Sequence, residues 1–97
     1  MTTYKRIGAV KTTLNILRFL ADQKKPVSGR EIALALNIPH GTCMCYMATL
    51  EDDGIVCQSE DRFEFGMGMA MFWSKTRERE EARLDEAKQN LKSIGAI

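Results

Sequence analysis

The stretch SGREIALALNIPHGTCMCYMATLEDDGIVCQSEDRFEFG, residues 28–66, decides the fold of this chain. Ser28 suits a helix N-cap, because its hydroxyl oxygen can accept a bond from an orphan backbone N–H, and Glu31 three residues later completes a capping box. Ile32, Ala33, Ala35 and Leu36 supply an apolar stripe for about two turns. Asn37-Ile38-Pro39 closes that helix, since proline disfavours helical geometry in the residue before it and is tolerated at the next helix start. A second helix is predicted over residues 40–53, ended by Gly54 where a left-handed residue is wanted. The period then changes to two. Residues 55–58 and 62–65 are predicted strands joined by Ser59-Glu60-Asp61, with Phe63 and Phe65 on one face.

Two helices joined by a tight turn and followed by a hairpin outline a winged helix-turn-helix. Cys43, Met47 and Leu50, with Tyr46 beside them, form the core-facing stripe of the second helix, so Gly41, Met44, Cys45, Ala48 and Asp52 are predicted to face outward. A helix over residues 9–22, marked by Val10, Leu14, Leu17 and Leu20 or Ala21, is expected to close a three-helix core. The fold class is thus mainly α: three helices and a two-stranded β wing in residues 1–66, with a long C-terminal helix in residues 67–97. A domain of roughly 65 residues lies near the lower limit for one self-sufficient core.

Residues 9–66 resemble the DNA-binding domain of IclR-type transcriptional regulators. Five separated blocks carry the resemblance: a first helix of the kind Val10 to Leu17; Ser28, Glu31, Ile32 and Ala33; Ile38, Pro39 and Thr42; Ala48-Thr49-Leu50-Glu51 before a glycine; and Arg62-Phe63-Glu64-Phe65-Gly66 closing the wing. The resemblance implies double-stranded DNA as partner, with the 40–53 helix in the major groove and the 55–65 wing on the backbone. It implies Lys11, Thr12, Ser28, Arg30, His40, Gly41, Thr42, Met44, Cys45 and Arg62 as the DNA-contacting set. His40, Gly41, Met44 and Cys45 stand where the family usually carries a basic residue, a serine, His and Arg, and Thr12 stands at a position commonly Arg. The 31 residues after Gly66 are too few for the family's effector-binding domain, so no small-molecule effector is expected.

The formal net charge is only +1, but it is unevenly spread. In the first 30 residues Lys5, Arg6, Lys11, Arg18, Lys24, Lys25 and Arg30 meet one acid, Asp22; in residues 31–66 Arg62 meets Glu31, Glu51, Asp52, Asp53, Glu60, Asp61 and Glu64. Contact with DNA is therefore expected from the helix N-terminus and the basic first 30 residues. The alternative is a winged-helix protein-interaction module that binds through Met44, Cys45 and the acidic wing.

Residues 67–93 are predicted to form one helix of about 40 Å at 1.5 Å per residue. Leu84, Ala87, Leu91 and Ile94 fall at seam spacing; extending the register backward reaches Ala70 and Trp73 but also Arg77 and Glu80, so the seam is interrupted and is not a long zipper. Trp73, Leu84, Ala87, Leu91 and Ile94 are the predicted dimerisation residues of a homodimer, which would address two half-sites about one DNA turn apart.

No catalytic residues, metal ligands or cofactors are expected. His40 is the single histidine, and no nucleophile–base pair or glycine-rich phosphate loop is present. His40, Cys43 and Cys57 lack zinc-site spacing. With no secretory signal and no span of about 20 apolar residues, a cytoplasmic, non-membrane protein is expected.

Overall fold

A helix beginning at Gly29 is capped as the sequence requires. The Glu31 N–H donates to Ser28 Oγ at 3.1 Å, and the Ser28 N–H donates back to Glu31 Oε2 at 3.4 Å. The computed structural model describes residues 3–95 and sets this helix second in the order α1 (Gly8–Ala21), β1 (Val27–Ser28), α2 (Gly29–Leu36), α3 (His40–Asp52), β2 (Val56–Ser59), β3 (Arg62–Phe65) and α4 (Met67–Ser93). The fold is a winged helix-turn-helix, mainly helical, with a long C-terminal helix.

Both helix ends of the helix-turn-helix are closed by left-handed residues. Asn37 (φ 55°) ends α2 while Ile38 N–H donates to Ala33 O at 3.0 Å. Gly54 (φ 74°) ends α3 while Gly54 and Ile55 donate to Glu51 O and Leu50 O at 2.9 and 3.0 Å. This paired pattern satisfies carbonyls that the helix leaves without partners.

The core is one cluster: Ile16 and Leu20 from α1, Val27, Ile32, Ala33, Cys43, Met47, Val56 and Phe63. Cys43 and Met47 are buried and Tyr46 and Leu50 half-buried, as the stripe on α3 predicts, and Phe65 packs beside Phe63. The expected stripe on α1 holds at Leu20, which is buried, and at Leu17, half-buried, but is corrected at Val10 and Leu14. Val10 and Leu14 are 54% and 43% exposed, whereas Ile16 and Leu20 are buried with Phe19 against them. α1 carries two apolar faces, and the face that continues into Phe19 won the core.

The two-stranded wing is also corrected, to a three-stranded antiparallel sheet in the order β1-β3-β2. Val27 pairs with Phe63 and Ser28 with Arg62, so the α2 cap residue and the one before it, held extended by the cap geometry itself, cover the open edge of β3. β2 and β3 meet in a two-residue turn, Glu60-Asp61, with both φ positive (52° and 63°). That is the hairpin geometry whose twist matches the strands, occupied here by residues that fit it poorly.

The direction of α4 is fixed where three glycines meet. Gly68 N–H donates to Gly54 O at 2.8 Å, and Gly66 N–H donates to Ile55 O at 2.9 Å. A Cβ at Gly66 or Gly68 would stand 2.5 or 2.7 Å from Gly54 O, which excludes any side chain there without a backbone shift. Beyond this junction α4 buries no residue. Arg77–Glu81 (2.9 Å) and Arg83–Glu80 (2.6 Å) run along its exposed surface, and the chain extends to 61 × 45 × 22 Å.

Candidate nucleic-acid interface

The first turns of α2 and α3 come together over Gly29. Gly29 is buried, Cys43 Sγ donates to its carbonyl oxygen at 3.6 Å, and a Cβ placed on it would lie 3.7 Å from His40 Nε2 and collide with Met44 Sδ. A side chain at position 29 would have to displace the end of the Met44 side chain from its seat, and around this glycine residues 28–31 and 40–44 share one surface. Sequence reasoning passed over Gly29. The available signal was a glycine immediately after the Ser28 cap, where helix propensity gives no reason for one.

The same contact corrects the expectation for Met44. It is half-buried, packed on the core and lying across Gly29, because an unbranched side chain fills the space that the missing Cβ leaves. His40, Gly41, Thr42 and Cys45 are exposed as expected. Gly41 has nothing within 4 Å of where its Cβ would be, so nothing in the fold demands a glycine there.

The first turn of α3 is electrostatically available. Pro39 precedes it without a side-chain cap, and no acidic residue lies in the turn. The first internal bond runs from Cys43 N–H to Pro39 O at 2.9 Å, leaving the N–H groups of residues 40–42 aimed outward at the positive end of the helix dipole. The acids Glu51, Asp52 and Asp53 sit at the opposite end of a helix about 20 Å long.

The wing reaches this surface through Ser28, whose register partner is Arg62. Arg62 Nη1 donates to Pro26 O and Glu31 Oε1, both at 3.4 Å, so the predicted contact residue is already engaged. Its side chain is 53% exposed, and such an exposed pair contributes at most about 1 kcal/mol. The pairing offsets the charge of Arg62 with that of Glu31. The Ser28 hydroxyl oxygen is likewise occupied by its helix cap. Arg30 is exposed and, among the described residues, pairs with no carboxylate.

Other predicted residues lie elsewhere. Lys11 is exposed beside Ile7, Val10 and Leu14 on α1, and Thr12 is half-buried on the same helix. Trp73, Leu84, Leu91 and Ile94 are 72%, 55%, 42% and 78% exposed, and Ala87 is exposed with them; Ile94 stands just past the end of α4. Cys57 is exposed and lines a groove with Phe65 and Trp73, apart from the Gly29 cluster. Burial pushes the Cys43 thiol up from its ordinary pKa, which keeps it a neutral core group. Among the described residues no helix is long and apolar enough to cross a membrane.

A search of curated proteins finds no match. The family model of the IclR helix-turn-helix domain matches residues 9–60, more than half of the chain, and spans α1, the helix-turn-helix and the start of the wing. With that match and this architecture, the chain belongs to the IclR helix-turn-helix family and carries its DNA-binding regulatory domain.

Proposed function

We propose that this chain is a DNA-binding transcriptional regulator acting as a small homodimer, with residues 1–66 the DNA-binding domain and residues 67–97 the dimerisation element. α3 enters the major groove with its N-terminus first. Thr42 and His40 bond phosphate or base edges, Cys45 faces the groove one turn on, and Gly41 lets the backbone approach closely. Arg30 is the principal phosphate anchor, helped by Lys11 and the basic N-terminal segment; Thr12 and Ser28 border the contact, and Arg62 and the wing lie along the backbone. Met44 lies beneath this surface, its side chain seated against Gly29.

The observation that carries this reading is the convergence at Gly29 of two helix starts, with Arg30, His40, Gly41 and Thr42 all exposed around them. The apolar surface left uncovered on α4 at Trp73, Leu84, Ala87, Leu91 and Ile94 supports a second copy as its partner. A gel-shift titration on DNA from beside its own gene, at two salt concentrations, tests the reading. Binding is expected to fall steeply with salt, and Arg30→Ala and Thr42→Ala are each expected to weaken it about tenfold, the loss of one charge-assisted contact. Salt-insensitive or undetectable binding by folded protein would contradict it.

A further inference from the structure

We propose that the cleft between the 23–26 loop and the base of the wing is a second backbone-phosphate site of the DNA interface, in which Lys24, Lys25 and the free edge of the Arg62 guanidinium take the flanking duplex backbone, and that Glu31 limits its strength by retaining Arg62. This proposal rests on the DNA-binding reading above and adds to it a contact surface that α3 does not supply.

Lys24, Lys25, Glu31 and Arg62 line one cleft. The loop that carries the lysines is anchored at both ends. Gln23 is tied to the last turn of α1, its N–H donating to Leu20 O and its Nε2 to Phe19 O, both at 3.1 Å. Val27 is tied to β3 through its pairing with Phe63, and Pro26 O accepts from Arg62 Nη1 at 3.4 Å. The backbone beneath both ammonium groups is therefore fixed before anything binds, and contact costs only side-chain freedom. Both lysines are exposed, and among the described residues neither forms an ion pair.

The cleft continues the surface around Gly29. Glu31 lines it from the first turn of α2, and the register partner of Arg62 is Ser28, the cap of that helix. In the cleft three cations meet one carboxylate, which selects an anion. Glu64 stands across the loop beside Leu20 and Phe63, and Glu60 and Asp61 precede Arg62 at the wing tip. These acids lower the field around the cleft, which suits a flanking contact weaker than that of Arg30.

Arg62 is poised between two partners. It uses a single nitrogen, Nη1, for both of its bonds, each at 3.4 Å, long for a charge-assisted bond. Among the described residues Nε and Nη2 have no partner, and together they form the planar fork that a phosphate accepts two-handed. Glu31 is held in place by a different contact. Its Oε2 accepts from Ser28 N–H to complete the capping box while its Oε1 accepts from Arg62. The residue that caps α2 thus also keeps a negative charge in the cleft and draws Arg62 toward it. Glutamine would keep the cap and remove the charge, since a capping box takes either residue at that position.

Gel-shift titrations of the full chain on a duplex from beside its own gene, over a series of salt concentrations, test the site. Lys24→Ala with Lys25→Ala changes exposed positions only and is expected to keep the wild-type circular dichroism spectrum. It is expected to weaken binding about tenfold and to flatten the slope of log affinity against log salt by about one to two, the count of phosphates no longer neutralised. Glu31→Gln is expected to keep the same spectrum and to tighten binding about two- to fivefold, the range of one exposed ion pair. In an Arg62→Ala background that gain is expected to shrink. If wild type binds with a steep salt dependence and the lysine variant matches it in affinity and slope, the cleft lies outside the interface while the DNA-binding reading stands. If Glu31→Gln gains nothing, or gains as much with Arg62→Ala as without it, the restraint of Arg62 by Glu31 is overturned. If folded wild type binds no DNA at any salt, the DNA-binding reading falls and the site with it. Inorganic phosphate alone, at constant ionic strength, is expected to leave the amide shifts of residues 24, 25 and 62 unchanged; saturable shifts there would make a small anion, not the duplex backbone, the ligand of the cleft.

Discussion

The block from Val27 to Phe65 and the helix from Met67 to Ser93 are both regular structure, yet they are held by different physics. The first is fixed by a capping box, two left-handed helix ends and buried side chains such as Ile32, Met47 and Phe63. The second has no buried residue, and its side-chain pairs, Arg77–Glu81 and Arg83–Glu80, are each worth only a few tenths of a kcal/mol. An isolated helix of that kind is marginal in water, because most helical stability comes from packing an apolar face. The DNA-binding block can stand by its own contacts. The arm, in the proposed homodimer, gains its contacts from the second copy.

The sharpest way to break the contrast is a pair of truncations. Ile32→Ala is expected to cost about 2–5 kcal/mol in urea unfolding, the range for a fully buried side chain. Leu84→Ala, measured at concentrations where the chain is monomeric, is expected to cost below about 0.5 kcal/mol, as for an exposed position. Equal costs would show that α4 packs on its own core. The junction between the two regions comes next. Gly68→Ala sets a Cβ against Gly54 O and is expected to destabilise by about 1–3 kcal/mol, with an altered mass distribution if the α4 angle is what presents the dimer seam.

The smallest effect is at the wing tip. Glu60→Asn with Asp61→Gly gives the positive-φ turn the residues that prefer it, and is expected to stabilise by about 1 kcal/mol. It also removes two negative charges from the wing tip, so DNA binding should tighten along with stability. A gain in stability with no gain in binding would place the wing tip away from the duplex.

Locally encoded features were legible in the sequence. The Ser28–Glu31 box, the stop at Gly54, the inward Cys43 and Met47 and the start of the last helix at Met67 are each set by residues a few positions apart. What sequence reasoning missed depends on distant partners. β1 is two residues long and has no period to detect; it exists because β3 offers an edge 35 residues away. The α1 stripe was right at Leu20 but took Val10 and Leu14 where Ile16 enters the core, because both sides of the helix carry apolar residues and only the packed core chooses between them. In the candidate site, exposure of Gly41 and Cys45 followed from the helix pattern. The tether of Arg62 to Glu31 and the seating of Met44 over Gly29 did not, since each joins residues brought together only by the tertiary fold.

The central claim is that DNA meets this chain at the joined starts of α2 and α3. Amide chemical-shift mapping of ¹⁵N-labelled protein, titrated at low salt with a duplex taken from beside its own gene, tests it most directly. The account predicts the largest shifts at residues 29–31 and 40–45, smaller ones at 60–62, and none along 78–93. Shifts confined to α4, or absent from residues 40–45 when the duplex is bound, would contradict it.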